Sequence, residues 1–295
     1  MFLITALQAL WGSSIPLSKI LLTMTPPIFL AGLRMIIAGI VLLSYNYWFK
    51  NDQFVFTKKH ISYYLQLIFF GVYIKYILRN WGLMHLSTAK MSFMLNASPF
   101  CTALFSFFAF EEILSQRQWA GLCIGFLGLI PILLIHSSSE HALGQFAFFS
   151  WPELAIIGEI LSHSYGLIVA RKMICTIGYS PAMANGIRMF GGGILALTTS
   201  FLCETPSSTA QTSSFFMLLA LSVLISNVIC HSLHFHLLNH YSPTFLSFSD
   251  FLSPLFVALY GWLFMNEIIT WHYYLSASII FVGLYLFYGS EKKES

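Results

Sequence analysis

Six cationic side chains, Lys19, Arg34, Lys75, Arg79, Lys90 and Arg188, fall in otherwise apolar stretches, and only two clear acids, Glu159 and Asp250, stand among them. A charge in hydrocarbon costs a few kcal/mol unless it is paired or faces water, so each of these residues is a functional candidate by default. Lys75 and Arg79 are four apart and share one face of a helix. Lys90 opens the next apolar stretch, and the short loop before it holds it near the outer end of the same hairpin. Three cations there suit a carboxylate or phosphate, with the arginine offering a bidentate fork; the duller alternative is that Arg79 and Lys90 snorkel to headgroups. Glu159 and His163 share a helical face at i, i+4 spacing, an arrangement that recognises an ammonium, relays a proton or makes a structural hydrogen bond. Asp250, with Ser247, Phe251 and Pro254 within a turn, offers charge to the cationic end of a ligand or forms an ion pair with Arg188. Arg34 and Arg188 read as scaffold residues that cap carbonyls or pair acids.

Aromatic residues make up 17% of the chain, and most face lipid or core. Trp11, Tyr73, Tyr76, Tyr165, Phe248 and Phe251 lie near the charged positions, where they could stack a planar base or hold an onium group by cation–π attraction. Pro99 and Pro254 fall inside helices, where the missing N–H and the ring clash produce a kink, static or hinged. In the run His231, His234, His236 and His240 only the first two share a face, and no cysteine or acid lies nearby at ligand spacing, so no metal is expected and the histidines read as polar lining. The five cysteines, Cys101, Cys123, Cys175, Cys203 and Cys230, show no C-x-x-C spacing and read as packing residues. No cofactor is implied. Neither G-x-x-x-x-G-K-[ST] nor the G-x-S-x-G or H-E-x-x-H patterns occur, which argues against a nucleotide-driven pump and an intramembrane enzyme. Nothing marks a nucleic-acid partner.

The elements that must carry these residues are membrane spans. Hydrophobic residues reach 57% and charged residues only 8%, against about 25% charged in soluble domains. Apolar stretches long enough for a core of about 30 Å lie at residues 2–22, 27–49, 61–82, 89–109, 116–135, 152–172, 180–202, 213–236, 243–265 and 271–288. The fold class is therefore all-α polytopic membrane protein with ten helices. The first stretch lacks a basic leader and a small-residue cleavage site, so it reads as a span. Lys50, Lys58, Lys59, Arg117, Arg171, Lys172, Lys292 and Lys293 fall on one side of the bilayer if both termini are cytoplasmic, while the opposite loops contain no Lys or Arg.

A shift of 155 residues lays Leu83–Leu129 on Leu238–Leu284 without gaps, matching Ser98-Pro99 with Ser253-Pro254 and Glu112-Ile113 with Glu267-Ile268. Asp250 falls opposite Leu95, so the repeat is broken where the acid stands. Two copies with five crossings each must be inverted relative to one another, the architecture of an alternating-access carrier. The organisation is one five-helix repeat over 1–136, a linker 137–150, a second repeat over 151–290 and a tail 291–295. Short loops should pair helices 3–4 and 8–9 across the pseudo-two-fold axis, enclosing a site that helices 1 and 6 flank. Gly121 and Gly125 permit a close helix contact, either internal or in a dimer, so the chain reads as monomer or homodimer.

The run Leu10-Trp11-Gly12-Ser13-Ser14, with Arg34, Ala38, Pro99, Glu112, Trp119, Gly121 and Gly128, and the second-copy residues Arg188, Pro254, Glu267 and Gly283, resembles the ten-span drug/metabolite transporters built from two EamA-type repeats. Ser162-His163-Ser164 departs from the Trp-Gly/Ala pair expected at that place in the second copy. Overall the chain is similar to the branch in intracellular bacteria that exchanges S-adenosylmethionine for S-adenosylhomocysteine. The resemblance implies a secondary carrier in the bacterial cytoplasmic (inner) membrane. Its expected substrate-binding residues are Lys75, Arg79, Lys90, Glu159, His163, Asp250, Trp11, Tyr76 and Phe251, with Pro99 and Pro254 as hinges. The alternative cargo is an amino acid or an acidic or phosphorylated metabolite.

Overall fold

Prolines and serines punctuate the apolar runs at the places where helices begin. Pro27 and Pro181 occupy first positions, where a missing N–H costs nothing. Ser115 with Gln118 and Ser150 with Glu153 form reciprocal capping boxes. The computed structural model describes residues 2–50, 60–110, 114–128, 130–133, 145–146, 149–204, 213–265 and 270–291. Lys58, Lys59, Lys292 and Lys293, the repeat pair Glu112 and Glu267, and most of the 137–150 linker lie outside the described residues, as does the side chain of Phe248.

The helices are α1 (Phe2–Leu22), α2 (Pro27–Trp48), α3 (Ile61–His85), α4 (Lys90–Phe110), α5 (Gln116–Leu127), α6 (Trp151–Thr176), α7 (Pro181–Cys203), α8 (Ser213–Leu237), α9 (Pro243–Phe264) and α10 (Trp271–Glu291). Among the described residues the only extended pairing is a two-residue ladder, Gln145–Phe146 against Phe149–Ser150. Among the described residues seven helices, α2–α4 and α6–α9, are long and apolar enough to cross a membrane, and all seven coincide with predicted spans. Their outer faces carry large apolar side chains in the open, including Phe108 at 74% exposure, Phe201 at 76% and Leu202 at 81%. Continuous apolar surface of that kind is tolerated in lipid and not in water, so the chain is a multi-span membrane protein.

The two halves interlock. α6 packs between α3 and α4, α1 packs between α8 and α9, α2 packs along α7, and α5 along α10. Consecutive α3 and α4 therefore meet only near their loop, instead of lying side by side as the short connection led one to expect, because α6 occupies the space between them. Two close approaches depend on glycine. A Cβ on Gly166 of α6 would lie 2.5 Å from the Gly71 Cα of α3, and one on Gly121 of α5 would lie 2.6 Å from the Gly283 carbonyl of α10. Gly125 faces Phe251. The small-residue stripe of α5 is thus an internal seam, not a dimer face.

Two irregularities recur. Helices α3 and α8 each contain a π-helical stretch, Phe69–Ile74 and Val223–Cys230. The wider turns leave backbone carbonyls for side chains: Phe70 accepts from Ser162 (2.7 Å), Gly71 from Arg188 (3.2 Å) and Asn227 from Asn185 (3.3 Å). Helices α4 and α9 are each broken just before a Ser-Pro pair. The helix pauses at Asn96–Ala97 and resumes over Ser98–Phe110; in α9 a tight turn over Asp250–Leu252 precedes Ser253–Met265. Pro99 and Pro254 are thus second residues of fresh helical segments, where proline is well tolerated. This differs from the ring clash inside a continuous helix that the sequence implied.

Candidate functional site

Three residues of α6 meet three cations of the first half. Glu159 accepts from Arg79 through one oxygen, Oε1, which receives Nε at 3.1 Å and Nη2 at 2.7 Å. Glu159 is fully buried, and its second oxygen, Oε2, has no hydrogen-bond partner. One turn on, His163 Nδ1 takes a hydrogen bond from Lys75 Nζ at 3.0 Å, which puts the imidazole proton on Nε2. Two turns earlier, Glu153 pairs with Lys90 at 2.9 Å, both nearly inaccessible. The expected convergence of Lys75, Arg79 and Lys90 on one ligand is therefore not what the fold builds: each cation has its own partner on α6. Glu153 is a third acid that the charge count left out, and the Ser-x-x-Glu capping signature was the signal that could have located it.

A cavity of about 50 Å³ lies beside these pairs. Five sequence-predicted residues line it: Trp11, Arg79, Glu159, His163 and Asp250. Gln8, Ser92, Asn96, Ser98 and Ser253 supply further polar atoms, and Asn96 Nδ2 is buried without a partner. Gln8 donates from Nε2 to Asp250 Oδ1 at 2.7 Å and to Ser249 Oγ at 3.1 Å. Arg188 does not pair with Asp250; its guanidinium meets Asn185, Gly71 and the ring of Phe235. Arg34 likewise uses neutral partners, Ser18 and Asn227. Hydroxyl, carbonyl and amide oxygens, not acids, accept from these two arginines.

Four predicted residues lie away from the cavity wall. Phe251 is packed among Phe93, Ala103, Leu122 and Phe287, because the tight turn at Asp250 aims successive side chains to opposite sides. Lys90 stays in its ion pair near the helix starts, and Lys75 reaches the cavity only through His163. Tyr76 hydrogen-bonds His231 Nε2. Helix α8 supplies no lining here, and α1 and α6 line the cavity directly instead of flanking it, since each sits in a groove of the opposite half. Gln8 and Asn96 were missed by sequence reasoning. Each is an amide within an apolar helix, one turn before Trp11 and one turn after Ser92, and that spacing was the available signal.

Comparison with known proteins agrees with this architecture. The EamA-like transporter family matches residues 1–134 and 150–289. The S-adenosylmethionine/S-adenosylhomocysteine transporter of Chlamydia muridarum is 30% identical, over 99% of this chain and 92% of its own length. Its Chlamydia trachomatis serovar L2 counterpart is 29% identical over 99% and 90%, and an uncharacterised Bacillus subtilis transporter, YoaV, is 24% identical over 96% and 94%. A crystal structure only 16% identical superposes with a TM-score of 0.78, covering 99% of this chain and 98% of that one, which fixes the shared fold. With a multi-span bundle and a family match over nearly its whole length, the chain is a transporter and not an enzyme, and it belongs to the EamA-like transporter family.

Proposed function

We propose that this chain is a secondary, alternating-access carrier that takes up S-adenosylmethionine in exchange for S-adenosylhomocysteine through the central cavity. The observation that carries the reading is the pair of acids on one cavity: Glu159 with a buried, unpartnered oxygen, and Asp250, which accepts from the neutral amide of Gln8 and has no cation within ion-pair distance among the described residues. Two carboxylates suit the ammonium and sulfonium of such a cargo. Trp11 offers a ring face to the onium or the adenine, and Arg79, His163 and Asn96 offer donors to its oxygens and ring nitrogens. Trading a monocation for a neutral product moves one positive charge inward, and the membrane potential favours this by about 2.3 kcal/mol per 100 mV.

Ten crossings in two inverted repeats support that cycle, with α1, α5 and α10 spanning as well and both termini cytoplasmic in a bacterial inner membrane. Tyr76 and His231 touch although 155 residues apart, the same interval as the sequence repeat, as expected of residues beside a pseudo-two-fold axis. The π-helical stretches of α3 and α8 and the breaks before Pro99 and Pro254 also correspond under that shift, and the breaks are the hinge positions of this reading. The substrate-contacting residues in it are Trp11, Arg79, Glu159, His163 and Asp250, with Gln8 and Lys75 orienting two of them.

The test is counterflow of labelled S-adenosylmethionine into proteoliposomes preloaded with S-adenosylhomocysteine. Saturable uptake that needs the internal load is the expected result; its absence with folded protein discards the substrate. A second reading, an amino acid or an acidic or phosphorylated cargo, draws on Lys75, which has no carboxylate within ion-pair distance among the described residues. Asp250→Asn separates the two, because it weakens an onium cargo and leaves a pure anion bound.

A further inference from the structure

A second, smaller cavity lies behind the first, between α3, α6, α7 and α8. Gly71, His163, Gly166, Arg188, His231 and His234 line it, with Leu167 and Phe235 closing the side. It encloses about 10 Å³, against about 50 Å³ for the first, and admits one small ion. Two of its lining side chains carry polar atoms that nothing in the described protein satisfies: Arg188 Nη2 and His234 Nε2. Both residues are almost fully buried, at 3% and 2% exposure. A guanidinium N–H left unsatisfied in a low-dielectric interior costs more than an ordinary lost hydrogen bond.

The repeat supplies an internal control. Arg34, at the corresponding place in the first half, spends all three nitrogens: Nη1 on Ser18 Oγ at 2.7 Å, and Nε and Nη2 on Asn227 Oδ1 at 3.3 and 3.0 Å. Arg188 spends two, Nε on Asn185 Oδ1 at 3.0 Å and Nη1 on the Gly71 carbonyl at 3.2 Å. Its third nitrogen, Nη2, is buried without a partner, and Arg188 is one of the residues that line the cavity. Among the described residues no carboxylate lies within ion-pair distance of Arg188. The charged group bonded to His163 of the lining is again a cation, Lys75. A bound cation would be repelled here.

We infer that this cavity is a binding site for one small monovalent anion, a halide or a single carboxylate, held by Arg188 Nη2 and the ring N–H of His234. His163 lines both cavities, so the site adjoins the cargo cavity of the proposed function. Either a free ion or the carboxylate of a cargo could fill it, and only the second source rests on that function.

The experiment uses the purified full chain in detergent at fixed ionic strength, with chloride, formate or the bulky anion gluconate as the sodium salt. Chloride and formate are expected to raise the thermal midpoint by about 3 °C with saturation, and gluconate is not. His234→Phe, which keeps the ring and removes the N–H, should abolish the difference, as should Arg188→Gln. Arg34→Gln should lower the midpoint in every salt and retain the difference. Crystals soaked in bromide should show an anomalous peak between Arg188 and His234, a readout that stands if Arg188→Gln does not fold. Equal midpoints in the three salts, or a His234→Phe variant that keeps the full shift, overturn the site. Chloride that weakens S-adenosylmethionine binding in proportion to its concentration identifies the cargo carboxylate as an occupant. Absence of that competition, with the salt difference intact, identifies a free ion. Because the anion readouts need no cargo, failure of the exchange reading and failure of the anion site are told apart.

Discussion

Helices α1 and α6 hold matching places, each lying in a groove of the opposite half, yet they carry opposite chemistry. Helix α1 brings neutral groups to the cavity: Gln8 and Trp11 face it, Ser14 and Ser18 bond carbonyls of their own helix, and its one cation, Lys19, donates to the Leu86 carbonyl away from the lining. Helix α6 brings Glu153, Glu159 and His163, one partner for each of Lys90, Arg79 and Lys75. The packing is near-symmetric and the electrostatics are not. Helix seams need only small residues and apolar faces, which a repeated sequence supplies twice, whereas a cavity for one asymmetric molecule needs its charges once.

The sharpest way to break this contrast is at Glu159. Glu159→Gln leaves the part-buried Arg79 guanidinium without a counter-charge, a loss of up to about 3 kcal/mol in stability, and counterflow should fall below detection. Adding Arg79→Met should restore much of the thermal stability but not transport; a double variant that transports would show that α6 supplies only structure. Next in size is Asp250→Asn, which should weaken S-adenosylmethionine binding about tenfold or more, equivalent to roughly 1.4 kcal/mol, in a direct binding titration. Unchanged affinity would move the onium subsite to Glu159 alone.

On α1 the effect should be smaller. Gln8→Leu removes the amide that orients Asp250, and a hydrogen bond to a charged group contributes about 1.5–3 kcal/mol. Affinity should drop while the thermal midpoint holds; a collapse of the fold instead would make Gln8 a structural residue. The smallest effect should come from replacing both members of the outlying pair, Lys90→Met with Glu153→Met. Exchange of a buried ion pair for apolar residues is often near neutral, so transport within about threefold of wild type is expected. Loss of counterflow in that double variant would bring the pair into the transport cycle and blur the line between the cavity and the helix ends.

Much of the frame was legible in residue order. Seven predicted spans coincide with long apolar helices because twenty apolar residues have few other options in a bilayer. Buried ionisable residues pointed to Arg79, Glu159, His163 and Asp250, since a charge in such a segment needs a reason. Partnerships were another matter. Lys75 and Arg79 share a helical face, yet one turns to His163 and the other to Glu159, and Asp250 turned to Gln8 instead of Arg188. A cation within a span calls for a partner without saying which helix brings it. Phe251, one residue from Asp250, was assigned to the cavity by proximity and lies instead against Gly125, because the turn at Asp250–Leu252 breaks the helical spacing on which proximity relies.

By itself the sequence determined that this chain lives in lipid, where its helices run and which residues carry charge into the interior. Those properties follow from local composition and periodicity, which hydrocarbon enforces without help from distant contacts. Tertiary structure decided that α1 and α6 exchange places between halves, that Lys75, Arg79 and Lys90 each find their own acceptor on α6, and that Arg188 keeps one donor unspent where Arg34 keeps none. Pairings of this kind depend on ångström-scale approach between segments up to 193 residues apart. Such approach is set by which helix fills which groove, a choice that no local pattern encodes.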